Sequence, residues 1–178
     1  SGWLLVVSRK KLLATLVREI QVAKGSLPLV VGISGSYTSG KTRLTAKLAA
    51  ALRNAGQPTV VIHYDDFHHP LKELKALGQS EVDTYYLHAF DPEKLVQEVL
   101  APLADRHALH QMLHVRDWGK DDNSKPLRLD ITKHTVVLVE GMLLFRKPVL
   151  DYLDLRVFLT VSDAEIKKRA RLRDVPKF

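Results

Sequence analysis

Cysteine is absent from this 178-residue chain, which rules out two classes at once. No disulfide scaffold and no thiolate-held metal site can be built, and the composition suits a reducing compartment such as the cytoplasm. Any apolar run long enough to cross a bilayer is missing as well. The apolar patch Trp3-Leu4-Leu5-Val6-Val7 precedes the charges Arg9, Lys10 and Lys11 and has no small-residue cleavage site after it. That order is the reverse of a secretory leader. The chain has no low-complexity tract and no fixed-period repeat. Acidic side chains are in the minority, 20 against 27 Lys and Arg, so the formal charge is +7 and an anionic partner is indicated. What is present, 46% hydrophobic residues, is enough for one domain with a substantial core over 1–178.

The apolar residues alternate between two periods. Leu12, Leu13, Leu16, Val17 and Ile20 recur at helical spacing before Gly25, which predicts an N-terminal helix over 8–24. Leu29 to Ser34 reads as a buried strand, and Leu44, Leu48, Leu52 and Ala55 mark a helix that stops at Gly56. Thr59 to Ile62, Thr135 to Val139 and Leu155 to Thr160 are further strands, while Asp91-Pro92 is an N-cap followed by proline at the first helical position. Ser162-Asp163-Ala164-Glu165 has the capping-box form and opens a basic helix over 162–174. The stretch 106–130 is polar and irregular and reads as loop with one short element. Strands separated by helices predict an α/β fold, a mainly parallel sheet with helices on both faces.

Between the first strand and the next helix stands "GSYTSGKT", with Gly35, Gly40, Lys41 and Thr42 at the spacing of a phosphate-binding loop. Glycines let backbone N–H groups of Ser36, Tyr37, Thr38 and Ser39 converge on phosphate oxygens. Lys41 adds charge at the β/γ-phosphates, Thr42 offers a hydroxyl to Mg²⁺, and Arg43 lies in the helix turn whose N-terminus attracts anions. The loop therefore predicts a nucleoside triphosphate and a P-loop NTPase fold. A GTPase would carry N-K-x-D and D-x-x-G elements, and neither is present. Instead the second strand runs into Asp65-Asp66-Phe67, and the third ends at Glu140-Gly141. In an open α/β sheet these ends share one edge, which brings Asp65 and Glu140 to Thr42. Two carboxylates and a hydroxyl suit Mg²⁺, and a carboxylate there can take a proton from an attacking hydroxyl.

"GISGSYTSGKTRLTAKL", "DDFHHP", "AFDPEKLVQEVLAPL", "VVLVEGMLLF" and "FLTVSDAEIKKRARLRD", in that order, resemble the uridine kinase family and its relatives nicotinamide riboside kinase and phosphoribulokinase. The resemblance implies an ATP- and Mg²⁺-dependent small-metabolite kinase, with Asp65 as catalytic base and Glu140 holding the metal. It also implies a basic lid whose Arg169 and Arg173 clamp the phosphates, the former beside Lys41 in catalysis. Its acceptor site implies Asp66, Phe67, Asp117 and Trp118 near the substrate. The "NFDHPDAFD" element that binds ribose in uridine kinases is "DTYYLHAFD" here, so Tyr85 stands where its first Asp belongs and Asp83 is two residues early. Asp83 is the candidate for the ribose hydroxyls, and Tyr85-Tyr86 for stacking. A second match for the acceptor loop, at His114-Val115-Arg116, requires an insertion.

His107, His110 and His114 would share a helix face and could gather a metal, but no carboxylate supports them and Mg²⁺ prefers oxygen, so they read as solvated histidines. The expected acceptor is a nucleoside of the uridine or cytidine type, with nicotinamide riboside or another sugar-type acceptor as alternative. A non-catalytic ATP-binding or nucleic-acid-binding module is the rival of another class. It would interleave aromatic and basic residues, whereas the basic density here lies in Ile166 to Arg173. A homo-oligomer stays open.

Overall fold

A computed structural model describes residues 9–23 and 28–160. Among these residues six strands occur: β1 (Leu29–Gly35), β2 (Thr59–His63), β3 (Leu109–Asp117), β4 (Asp122–Ile131), β5 (Val136–Gly141) and β6 (Leu155–Leu159). Four of them pair in parallel in the order β2-β5-β1-β6, and these are the four expected from the apolar runs. β1 and β5 lie at the centre and are buried along their whole length. Parallel strands covered on both faces read as unbroken apolar runs for this reason.

Successive side chains of those strands enter opposite cores. Val30, Val137 and Val139 point into one, Leu29, Val31, Ile33, Val136 and Leu138 into the other. The second core is closed by Ile20 of α1 (Arg9–Val22) and by Leu48, Ala49 and Leu52 of α2 (Lys41–Asn54). The first is closed by the helical stretch 92–106, which is α-helical over Pro92–Leu95 (α5) and Ala101–Arg106 (α6) and π-helical over Val96–Leu100 between them. Asp91 caps its start, Oδ1 accepting from the Lys94 N–H at 2.8 Å, as the Asp-Pro pair predicts. Two short helices, α3 (Leu71–Ala76) and α4 (Glu81–His88), follow the 3₁₀ turn Tyr64–Phe67 at the end of β2.

The stretch 106–130 departs from expectation. It is an antiparallel hairpin, β3–β4, with Leu109, Leu113, Val115, Leu129 and Ile131 in the first core. β4 hides its strand character because most of its side chains face solvent and it carries Pro126 within it. His110 and His114 consequently lie on a strand, and His107 has left-handed backbone at the end of α6, so no helix face gathers the three. His110 is paired instead with Asp130. The predicted N-terminal helix is present as α1, whereas the predicted basic helix 162–174, with Arg169 and Arg173, lies outside the described residues. Among those described, no helix is long and apolar enough to cross a membrane.

Gly141 is where the sheet dictates the site. A Cβ there would stand 2.5 Å from the Cβ of Tyr64, which is itself stacked on Phe90 with ring centroids 4.6 Å apart. Only a residue without a side chain lets the turn carrying Asp65 close over the end of β5. Gly141→Ala is therefore expected to cost about 1–3 kcal/mol by overpacking. Urea denaturation measures it, and an unchanged midpoint would mean that Tyr64 yields freely.

Candidate active site

β1 ends in the loop Ser36–Gly40, and α2 starts at Lys41 after Gly40 turns the backbone through a left-handed φ of 93°. That conformation suits glycine and aims the first N–H groups of α2 back toward the loop. Lys41, nearly buried, donates from Nζ to the carbonyls of Gly35 (3.1 Å) and Ser36 (2.9 Å), so its charge is held inside the loop. The hydroxyls of Ser36 and Ser39 are buried with no hydrogen-bond partner among the described residues. Buried orphan donors beside a held ammonium and a helix N-terminus fit the phosphates of a nucleotide. Tyr37 is at the exposed tip of the loop, Thr38 follows it with positive φ, and Arg43 is exposed on α2.

Glu140 lies at the C-terminal end of β5, opposite Ile33 of β1 and His63 of β2. Although it is 5% exposed, its Oε1 has two partners: the Thr42 hydroxyl donates at 3.1 Å and His63 Nδ1 lies at 2.7 Å. The hydrogen bond to Glu140 raises the His63 pKa, burial opposing it. Asp65, on the 3₁₀ turn, has its carboxyl pKa raised by burial first and by the Glu140 charge second; Lys41, His68 and His63 pull it the other way. Asp65, Glu140 and Lys41 thus act on one another at a single sheet edge, as the motif order predicts.

No group of three or more His, Cys, Asp or Glu able to hold a metal occurs among the described residues. The donors present, the Glu140 carboxylate and the Thr42 hydroxyl, fit Mg²⁺. That ion takes one or two carboxylates together with substrate phosphates and waters rather than an all-protein cage.

Around Asp65 the other expected residues separate. His68, which sequence reasoning did not single out, is buried between rings: Trp118 at 4.9 Å, Phe90 at 5.3 Å and Tyr85 at 6.3 Å between centroids. Burial lowers its pKa, favouring the neutral ring. The Tyr85 hydroxyl reaches Met142 Sδ at 3.6 Å, and burial and then the Asp65 charge raise its pKa. Trp118 and Tyr85 expose about half and two fifths of their surface (52% and 39%), so this ring cluster presents open faces beside Asp65.

Five residues have other partners. Phe67 is a core residue, 2% exposed, because the turn folds its ring inward. Asp66 is buried and paired with Lys125 Nζ at 2.8 Å, a cation brought by the unforeseen hairpin. Asp117 organises the hairpin turn, accepting from the Gly119 N–H at 2.9 Å and the Lys120 N–H at 3.3 Å. Asp83 sits at the start of α4, its Oδ2 accepting from the Ser80 hydroxyl at 2.6 Å while Ser80 Oγ accepts from the Asp83 N–H at 3.1 Å. Tyr86 packs under Arg146, whose guanidinium is 3.6 Å from the ring centroid.

Comparison with known proteins identifies the family. The sequence model of the phosphoribulokinase / uridine kinase family matches residues 30–177. The chain is 34% identical over 149 residues to nicotinamide riboside kinase 2 of Mus musculus, covering 83% of this chain and 69% of that one. It is 30% identical over 156 residues to a uridine kinase of Leuconostoc citreum, covering 85% and 70%. The structure of a possible uridine kinase from Bacillus stearothermophilus superposes with a TM-score of 0.77 at 24% identity, 94% of each chain covered, and supports the fold. A phosphate loop, a Glu-Gly strand end and an Asp-Asp-Phe turn on a parallel sheet, within a match that spans most of the sequence, establish that the chain belongs to the phosphoribulokinase / uridine kinase family of kinases.

Proposed function

We propose that the protein transfers the γ-phosphoryl group of ATP, with Mg²⁺, to a hydroxyl of a small metabolite, most directly a nucleoside of the uridine or cytidine type. The observation that carries this reading is Asp65, a carboxylate of raised pKa that acts on Glu140 and Lys41 and on Tyr85 and His68 of a half-open ring cluster, with the Glu140–Thr42 pair at the same sheet edge. A non-catalytic ATP-binding module would have no use for such a group.

In this mechanism the loop N–H groups, the Ser36 and Ser39 hydroxyls and Lys41 hold the triphosphate. Thr42 and Glu140 are the residues that would hold Mg²⁺, which would supply charge neutralisation at the phosphates. Asp65 accepts the proton of the acceptor hydroxyl while that oxygen bonds to the γ-phosphorus, the bond from phosphorus to the bridging oxygen breaks, and ADP leaves. Lys41, with Arg169 and Arg173 of the basic stretch 162–174, stabilises charge on the transferred group. A raised pKa suits a base because it brings the proton affinity closer to that of the group it serves. Tyr85, His68 and Trp118 receive the acceptor's ring by stacking. Such a site reads shape more than hydrogen-bonding pattern, so nicotinamide riboside is a second reading, favoured by the 34% identity to a kinase of that name. Cytoplasmic action fits the lack of cysteine.

The test is a thermal-shift screen of nucleosides, nicotinamide riboside and sugars with a non-hydrolysable ATP analogue, followed by transfer of labelled phosphate. A wild-type chain that binds ATP and phosphorylates none of them refutes the proposal. Lys41→Ala should abolish turnover and weaken ATP at least about tenfold, the scale of a charged hydrogen bond. A folded variant with ordinary ATP affinity would count against the loop. Asp65→Asn should keep ATP binding and lower the rate by about 10² or more.

The same variant carries a stability signature. Raising a carboxyl pKa on folding stabilises only the protonated form, an effect complete below the unfolded pKa and lost as pH rises through the folded one. At neutral pH the ionised Asp65 therefore burdens the fold. Without ligands, Asp65→Asn should melt higher than wild type at pH 7, and the difference should vanish in acid. A lower melting temperature at pH 7 would contradict this electrostatic account of Asp65.

A further inference from the structure

Arg116 has the largest of the fully buried side chains, at 0% exposure, and lies at the end of β3. Its Nη1 donates to the carbonyls of Asp117 (3.0 Å) and Asp122 (3.3 Å), the two residues that close the hairpin ladder. Its Nη2 pairs with the Asp121 carboxylate, which in turn accepts from the backbone of α3, Leu71 N–H at 2.8 Å and Lys72 N–H at 3.1 Å. The guanidinium carbon lies 4.7 Å from the Trp118 ring centroid, and Trp118 is 4.9 Å from His68. His68 leads through Pro70 back to α3, so the contacts form a closed circuit.

We infer that Arg116 is a positioning residue for the acceptor site: through Asp121 it ties the hairpin turn to α3, and it fixes the Trp118 indole as one wall of the ring cluster around His68. This rests on the acceptor reading proposed above. An indole half exposed on a four-residue turn would otherwise occupy several rotamers, and a ligand stacking on it would have to order it. A planar fork with fixed donors can hold two carbonyls, a carboxylate and a ring at once, whereas lysine's single ammonium cannot. The Lys125–Asp66 pair at 2.8 Å is a second tie between the hairpin and the Asp65 turn. Both ties lie on the acceptor side, so loosening Arg116 acts on the acceptor and leaves the nucleotide alone.

The experiment compares Arg116→Lys and Arg116→Gln with wild type, using uridine and nicotinamide riboside as probes. Asp121→Asn is the milder variant that breaks the same link should the buried arginine prove necessary for folding. The expected result is an acceptor KM raised about tenfold or more, the scale of misplacing a positioned group, with the ATP KM unmoved. The chain has two tryptophans, Trp3 and Trp118, so a Trp3→Phe background isolates the indole in question. Acrylamide quenching of Trp118 should increase in Arg116→Gln and Asp121→Asn and increase less in Arg116→Lys. Equal changes in both KM values, or quenching that no variant alters, overturns the inference. A wild type that phosphorylates neither probe removes these two acceptors from the proposed function, while the quenching comparison still decides whether Arg116 holds Trp118.

Discussion

The carboxylate of Glu140 is where the fold and the site meet. It is buried at the end of the central strand β5 and flanked in register by β1 and β2. A buried charge is tolerated only when it is hydrogen-bonded or paired, and Glu140 meets that condition with Thr42 on one side and His63 on the other. Those partners come from the start of α2 and the end of β2, so satisfying one oxygen fixes the spacing between the phosphate loop and the turn that carries Asp65. The glycine after Glu140 completes the constraint by letting Tyr64 pack against the strand end. Geometry at the reacting centre follows from the register of three strands.

The hairpin obeys a different logic. It is attached to the first core by apolar side chains but linked to its surroundings through Asp121, which is held by Arg116 and accepts from the α3 backbone, and through the Lys125–Asp66 pair. Each tie sets a cation from the hairpin against a carboxylate, and Asp66 lies on the site turn itself. The Asp66 pairing separates the two carboxylates of that turn, and the Asp65 charge acts instead on Tyr85 and His68 of the ring cluster. Two adjacent aspartates thus have distinct environments, one paired with a lysine, the other with its carboxyl pKa raised by burial and by the Glu140 charge.

The parallel sheet was legible because burial on both faces writes itself as runs such as Leu29 to Ile33 and Val136 to Val139, and the phosphate loop because its backbone needs glycine at fixed places. Asp65 and Glu140 followed from strand ends sharing an edge. The hairpin was not legible: β4 has only Leu129 and Ile131 buried, and a strand held by one face and by ladder bonds leaves a weak period in the sequence. Two residues expected at the acceptor have other places in the structure. Asp117 was expected at the substrate yet closes the turn, and Phe67 was expected there yet fills the core. His68 was visible inside "DDFHHP", but its importance comes from rings contributed by α4 and the hairpin turn, which no local pattern announces.

A site of this kind is built from groups that the fold would be more stable without. The Ser36 and Ser39 hydroxyls are buried without partners among the described residues, and Asp65 ionises against its surroundings. Such preorganisation is useful because no reorganisation is needed when charge develops on the phosphoryl group. It is tolerated because the cost falls at one edge of a sheet whose central strands, from Val31 to Ile33 and from Val136 to Val139, are fully buried. The division of labour follows from that economy. Phosphate chemistry rests on backbone and strand ends, which cannot shift without unfolding the sheet. Acceptor recognition rests on side chains of a turn and two short helices, where Tyr85 and Trp118 can change without disturbing Glu140 or Lys41. Selectivity for the acceptor can therefore vary independently of the chemistry, which is the physical basis for looking to Trp118 and its anchor Arg116 for the identity of the substrate.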